Sequence, residues 1–314
     1  MAKTRFYEII PLDTLFFRGS IPMEAGLYGS ESLFPPPVSV LKGALWTAYC
    51  SKTGADFAAG LDEDGGIPAE ITGFFIKQGE KLYAPAPATW YYDCNEKRSK
   101  GADCAGIPLC VAKDMTFEFS ALNMKSSAGN VAFTVPKEDA KPLSGAWIAI
   151  DFLRNPKREF DESSVLFASD IYSTEPRTGV GLTEDKKAEE GKLYTSTHIR
   201  LRDDIRLVVS VESAIDFGEG KMILGGERRI AAYKKCDDLA FDTVESALYL
   251  SLMPVEATQA NLSALVASAK LAVTSGWDLA KGFHKSSVSW IPAGAVFASK
   301  VSKSCVPLGS EHNE

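Results

Sequence analysis

Three consecutive prolines, Pro35-Pro36-Pro37, constrain the N-terminal third of the chain more than any other run. Proline lacks an amide hydrogen and clashes with the turn before it, so no helix passes through them, yet Pro37 suits a first helical turn. Upstream, Thr4 to Leu12 mixes aromatic and β-branched residues before a Pro-Leu-Asp turn, which predicts a strand. Downstream, Val40, Leu41, Ala44, Leu45, Ala48 and Tyr49 recur at helical spacing and predict an amphipathic helix from Val38 to Cys50. Two short strands follow, Ile71 to Lys77 and Lys81 to Ala86, joined at Gln78-Gly79-Glu80. The order β-α-β-β is the front of a ferredoxin-like unit.

At 314 residues the chain exceeds one small core, so two domains or one large α/β unit are expected. From about 87 to 144 periodicity is poor, which reads as an insertion holding short strands at Phe117–Leu122 and Val131–Val135. Glu175 to Leu182 is glycine-rich, and the charged stretch Thr183 to Lys192 has the composition of a mobile surface loop. A strand pair is expected at Leu193–Leu201 and Ile205–Val211, hinged at Arg202-Asp203-Asp204, with another strand at Ile230–Tyr233. The last eighty residues read as strand (Ala247–Met253), helix (Asn261–Val273) and strand (Val288–Ser299). Asn261 is the expected N-cap and Gly276 the terminator.

Chemistry is constrained first by what is missing. No phosphate loop, His-Glu-x2-His, nucleophile elbow or dinucleotide fingerprint occurs. The histidines are His198, His284 and His312, so imidazole catalysis would fall to His198 or His284, His312 lying in a polar tail. Among six cysteines, Cys50 and Cys236 read as core filler. Cys94, Cys104 and Cys110 lack a zinc-knuckle spacing and a nearby histidine, so they read as incidental thiols and no metal or cofactor is expected. The apolar runs are too short to span a bilayer and the N-terminus has no signal core, which gives the expectation of a cytoplasmic protein without membrane partners.

A net charge of −7 argues against bulk coating of nucleic acid, but the charge is segregated. Lys221–Lys235 and Lys270–Lys303 each net about +4, whereas Asp56–Glu80 and Cys236–Glu256 each net about −5. Glycines adjoin cations in Arg177-Thr178-Gly179-Val180-Gly181 and in Gly225-Gly226-Glu227-Arg228-Arg229. Such turns let a backbone approach closely while guanidiniums reach phosphate. Pro37-Val38-Ser39 at a helix start, with Lys42 one turn along, offers a further anion site. Three such features in an acidic chain point to RNA or another polyanion, although each alone is equally a turn or a cap.

Several segments, in order along nearly the whole chain, resemble the RAMP superfamily of CRISPR effector subunits. Within it the resemblance is to the third RAMP subunit of the type III-B (Cmr) complex. They are Pro11-Leu12-Asp13-Thr14-Leu15-Phe16-Phe17-Arg18, Pro35-Pro36-Pro37-Val38-Ser39 with Lys42-Gly43-Ala44, and Glu175-x-Arg177-x-Gly179-x-Gly181-Leu182. Glu190-Gly191-x-Leu193-Tyr194, Leu224-Gly225-Gly226-Glu227-Arg228-Arg229, Gly276-Trp277-Asp278-Leu279 and Ile291-Pro292-Ala293-Gly294-Ala295-Val296 complete the set.

The resemblance implies an α+β fold of two ferredoxin-like (RRM-like) domains, 1–175 with the insertion and 176–314. It implies a noncatalytic subunit that holds the 5′ handle of the crRNA. Its partners would be the large polymerase-like Cmr subunit and the backbone RAMP subunit. Matched to the motifs, RNA contacts fall on Arg18, Ser39, Lys42, Arg177, Gly179, Gly181, Gly225, Gly226, Arg228 and Arg229. Tyr194, His198 and Arg200 are supporting positions, and Tyr194 or Trp277 is a candidate for base stacking. The competing expectation is a metal-independent endoribonuclease that processes repeat RNA with His198 or His284 as base. A third is an assembly subunit that touches only protein.

Overall fold

The computed structural model describes residues 2–19, 30–58, 61, 66–93, 107–111, 113–116, 131–134, 140–155, 159–237, 239, 246–274, 277–278, 283–284 and 286–308. Cys94, Cys104, Gly276, His312 and the run 117–122 lie outside them. The protein is a strand-rich mixed α/β chain in two units, each assembled from three separate segments. One comprises Met1–Ile71, Ile171–Asp238 and Thr274–Lys285. The other comprises Thr72–Asp170, Leu239–Val273 and Ser286–Glu314.

The first unit is built on β1 (Lys3–Pro11), α1 (Val38–Thr53), β2 (Tyr172–Leu182), β3 (Ala188–Leu201), β4 (Ile205–Ser213), β5 (Gly220–Ile223) and β6 (Ile230–Cys236). Strands β4, β1, β6 and β5 lie side by side in that order, all antiparallel, with Lys3 opposite Ser213 and Ile9 opposite Tyr233. Alternation along the strands sends Tyr7, Ile9, Met222, Ala231 and Tyr233 to one buried face. Helix α1 begins at Pro37 and ends at Gly54, whose φ of 71° accepts the left-handed turn that lets its N–H reach Cys50 carbonyl at 2.9 Å. It buries Leu41, Ala44, Leu45, Trp46 and Cys50. Tyr49 meets Phe217 edge-on at 5.9 Å, and Phe217 in turn meets Tyr7 at 6.1 Å. The helix and the strand before it thus lie where the sequence places them.

Strands β2 and β3 form a long antiparallel hairpin, with Ser30–Glu31 added in parallel to β3. This corrects two expectations. The stretch 175–192 is not a glycine turn followed by a loop, because only a short turn at 183–187 separates the strands. There Lys186 N–H donates to Thr183 carbonyl and Thr183 N–H to Lys187 carbonyl, both at 2.9 Å. Likewise β3 and β4 exist but do not pair. β3 finds β2, and β4 finds β1, because the chain leaves the hairpin at Arg202–Asp204 and crosses to another sheet.

In the second unit the strands Val165–Leu166, Trp147–Ala149, Lys81–Pro85 and the part of Glu70–Gln78 from Thr72 onward lie adjacent in that order. Phe74 packs on Trp147 at 5.5 Å, and Phe152 stands edge-on to both Trp90 and Phe160. The inserted region holds strands at Trp90–Asp93, Ile107–Val111, Lys113–Thr116, Val131–Thr134 and Ala140–Pro142. Cys110 falls in the second of these.

The C-terminal expectations need correction as well. The helix spans only Gln259–Ala264, and its N-cap is Thr258, whose hydroxyl accepts from Asn261 N–H at 3.2 Å. The residues expected to continue it, Leu265–Ala267, pair instead with Val296–Phe297, a nonlocal partner that overrides local helical spacing. The expected strand Val288–Ser299 is two, Val288–Ile291 and Val296–Phe297, broken at Gly294 (φ 87°). Phe297 belongs to a buried cluster with Val255, Ile291, Ala295 and Cys305.

Candidate functional site

The segment that follows β1 is threaded between two other parts of its unit. Leu15 exchanges backbone hydrogen bonds with Ile199 of β3 at 2.7 and 2.8 Å. Phe16 carbonyl accepts from Gly226 N–H at 2.7 Å, in the turn that joins β5 to β6. That turn requires its glycines. Gly225 has φ 82°, and a Cβ there would stand 2.5 Å from Phe16 carbonyl oxygen. One on Gly226 would stand 2.9 Å from the Phe16 ring. Glu227 and Arg228 follow with φ of 53° and 52°. The close approach foreseen for these glycines is therefore made by the protein's own backbone, and the Gly226 N–H is already committed.

One face of the β2–β3 hairpin completes the site. Register sets Glu175 opposite His198, Arg177 opposite Ser196 and Gly179 opposite Tyr194. With Arg200 two residues beyond His198, these side chains share a face. Gly179 leaves the space that the Tyr194 ring fills, since a Cβ would lie 2.3 Å from it.

Three arginines and three carboxylates interlock there. Asp13 Oδ2 accepts from Arg229 Nη1 at 2.7 Å, Asp13 Oδ1 from Arg200 Nη2 at 3.3 Å, and Arg177 Nη2 lies 3.8 Å away. Glu175 accepts from Arg177 at 2.8 Å and from Arg200 at 2.8 Å. Glu227 accepts from Arg229 at 2.8 Å. The Thr14 N–H and then the three arginines hold the Asp13 carboxyl below its ordinary range. Hydrogen bonds from Arg177 and Arg200 do the same for Glu175. Burial pushes Glu227 upward, but the hydrogen bond from Arg229 and the neighbouring positive charges leave it lowered.

His198 lies beneath this network with no exposed surface. Its ring stacks on Phe16 at 5.0 Å, and Nδ1 shares a 3.1 Å hydrogen bond with the Thr14 hydroxyl. Nε2 stands 3.3 Å from Glu227 Oε2, outside hydrogen-bonding alignment. Burial lowers its pKa, partly offset by Glu227, so the ring is neutral at pH 7.

Apart from Gly179, Gly225 and Gly226, the expected site residues divide into three groups. Arg177, Arg200, Arg229 and His198 are brought together and engaged internally. Arg18 and Arg228 are exposed and have no ion-pair partner among the described residues. Each stands two residues beyond one end of the Phe16–Gly226 hydrogen bond. Ser39 is exposed and Lys42 half-buried in the first turns of α1, Tyr194 is 38% exposed, and Gly181 lies near the hairpin tip. Sequence reasoning met Asp13, Thr14, Phe16, Glu175 and Glu227 only as members of the matched motifs and gave them no role at the site. The one local signal was the spacing of Glu175 and Arg177, two apart and hence on one strand face.

A family model described as CRISPR-associated protein (Cas_Cmr3) matches residues 7–251. No protein of curated function matches the chain. Two similar chains come from cryo-EM structures of the Type III-B Cmr-beta bound to cognate target RNA, one also with AMPPnP in state 1. Their TM-scores are 0.54 and, for the AMPPnP structure, 0.57. Each is 17% identical, with 93% of this chain and 86% of that chain covered. At this identity the likeness establishes a shared fold. Among the described residues no helix is long and apolar enough to cross a membrane.

Proposed function

The chain belongs to the CRISPR-associated Cas_Cmr3 family, and on that premise we propose that it is the third RAMP subunit of a cytoplasmic type III-B (Cmr) ribonucleoprotein in antiviral defence. In this reading it is noncatalytic, binds the 5′ handle of the crRNA and bridges the large polymerase-like subunit to the backbone RAMP subunit. Two ferredoxin-like domains, 1–175 with the insertion and 176–314, belong to the same reading. Their support is the β-α-β-β order of the first four expected elements.

The observation that carries RNA binding is the pair of uncommitted guanidiniums, Arg18 and Arg228, flanking the Phe16–Gly226 contact. Arg177, Arg200 and Arg229 are neutralised by carboxylates and contribute by holding that loop and hairpin together. An exposed Tyr194 supplies a ring for a base. The endoribonuclease alternative is disfavoured on His198, because a ring without exposed surface cannot take a proton from a ribose 2′-hydroxyl.

The test is binding of handle RNA by the purified protein across a salt series. Each phosphate contact to a single strand contributes about 0.7 to the slope of log affinity against log salt. Arg18→Ala with Arg228→Ala is expected to lower the slope by about 1.4. An unchanged slope overturns the assignment.

A further inference from the structure

The face of the first unit's sheet turned away from α1 carries an apolar row that the RNA reading does not use. On β6, Ala231 and Tyr233 are buried against the helix side, so Ile230, Ala232 and Lys234 point the other way; on β5, Met222 is buried, so Lys221 and Ile223 do. Ile223 pairs with Ile230, and Leu12 extends the ladder by donating its N–H to Ile230 carbonyl at 3.0 Å. Leu12, Ile230 and Ile223 therefore form a row across three adjacent strands, about 10 Å long at ordinary strand spacing. Their exposures are 56%, 46% and 54%. Single exposed aliphatics are ordinary, but three side by side on a paired backbone form a patch.

The patch has a sign as well as a hydropathy. Farther along the same face stand Lys221, the next position after Ile223 on β5, and Lys234, two positions beyond Ile230 on β6 past Ala232, both exposed and both without an ion-pair partner among the described residues. The carboxylate opposite Lys234, Glu8, is buried at 7% exposure. No aromatic ring stands in the row, so the sheet lacks the platform on which nucleobases stack.

We propose that this face docks an acidic, amphipathic segment of a partner protein. Its apolar side chains cover Leu12, Ile230 and Ile223, and its carboxylates reach Lys221 and Lys234. Aliphatic surface flanked by uncompensated ammonium groups fits that chemistry and no polyanion without apolar groups. None of these five residues is among the proposed RNA contacts.

The test places p-benzoylphenylalanine at Ile223 in the full chain, expressed in its native host, and identifies photo-cross-linked products in the purified complex by mass spectrometry. The expected product is a peptide in which apolar residues alternate with Asp or Glu. Lys221→Glu with Lys234→Glu should cut its yield by about five-fold or more without changing the RNA content. A cross-link to RNA, to a peptide lacking carboxylates, or to one insensitive to the charge reversal overturns the proposal. So does a yield no higher than with the same amino acid at exposed Leu271. A charge-sensitive peptide cross-link in a purified complex that holds no RNA would count against the RNA reading alone.

Discussion

Asp13 Oδ2 lies 2.7 Å from Arg229 Nη1, although 216 positions separate the two residues in the chain. Through that contact the loop after β1 is tied to the β5–β6 turn, and Arg200 and Arg177 tie the same carboxylate to the hairpin. Asp13→Asn is expected to cost about 1 kcal/mol or less, since the side chain is 44% exposed and solvent screens the pairs. It should raise affinity for handle RNA, because three clustered guanidiniums lose a neutralising charge. Urea titration and filter binding check the two effects. A lower affinity at unchanged stability would mean that Asp13 aims the arginines rather than restrains them.

Acid should weaken the fold in two stages. The His198 pKa is lowered from 6.5 in the folded state by burial, so below pH 6.5 the unfolded chain takes up a proton that the folded one refuses. Stability present above pH 6.5 is then lost as pH falls from there toward the lowered value, at up to about 1.4 kcal/mol per pH unit. Asp13, Glu175 and Glu227, lowered from 3.8, 4.5 and 4.5, contribute stability that is present above those values and lost only as pH falls through their lowered ones. Urea midpoints between pH 7.5 and 5.5 isolate the first stage. His198→Phe should flatten that interval and leave the lower one intact.

Two glycines should respond oppositely to a methyl group. Gly225→Ala forces a side chain at φ 82° into Phe16 carbonyl and is expected to cost about 2–4 kcal/mol. Gly43, inside α1, has nothing within 4 Å of an added Cβ. Gly43→Ala should stabilise by about 0.5–1 kcal/mol through backbone entropy and helix propensity. Thermal melts of the two variants suffice, and equal shifts would contradict the turn geometry.

Tyr194 lays the hydroxyl end of its ring over Gly179 and is 38% exposed, so the pair can be probed without dismantling a core. Tyr194→Ala should weaken handle binding by about 1–3 kcal/mol, the worth of one stacked base. Gly179→Ala must swing the ring aside, so it should weaken binding similarly while the melting temperature changes little. Unchanged binding in both variants would remove Tyr194 from the RNA surface.

What could be read in the sequence was what depends on near neighbours. Strand β1 and helix α1 follow from the periodicity around Ile9 and Leu45 and from the proline run. Strand β2 was obscured because its half-buried positions Glu175, Arg177, Gly179 and Gly181, none of them apolar, alternate with exposed residues, a pattern that resembles a loop. Leu265–Ala267 left the helix for a strand some thirty residues away. The arginines at the site stood out by charge. That Asp13, Glu175 and Glu227 would occupy them depends on contacts between segments far apart in the chain, which no local window contains. For the same reason His198 looked like a reagent and is a packed, neutral ring.

The pairing of Lys3 with Ser213 sets a schedule for making the protein. Strand β1 leaves the ribosome well before its sheet neighbours, β4 and β6, which are encoded some two hundred codons later. At about 5–20 residues per second, roughly 10–40 s pass before either can arrive. Through that interval an apolar strand bearing Phe6, Tyr7, Ile9 and Ile10 waits with both edges unpaired. On a polysome, neighbouring copies carry the same waiting strand, which makes shielding during synthesis a requirement that the finished fold no longer displays.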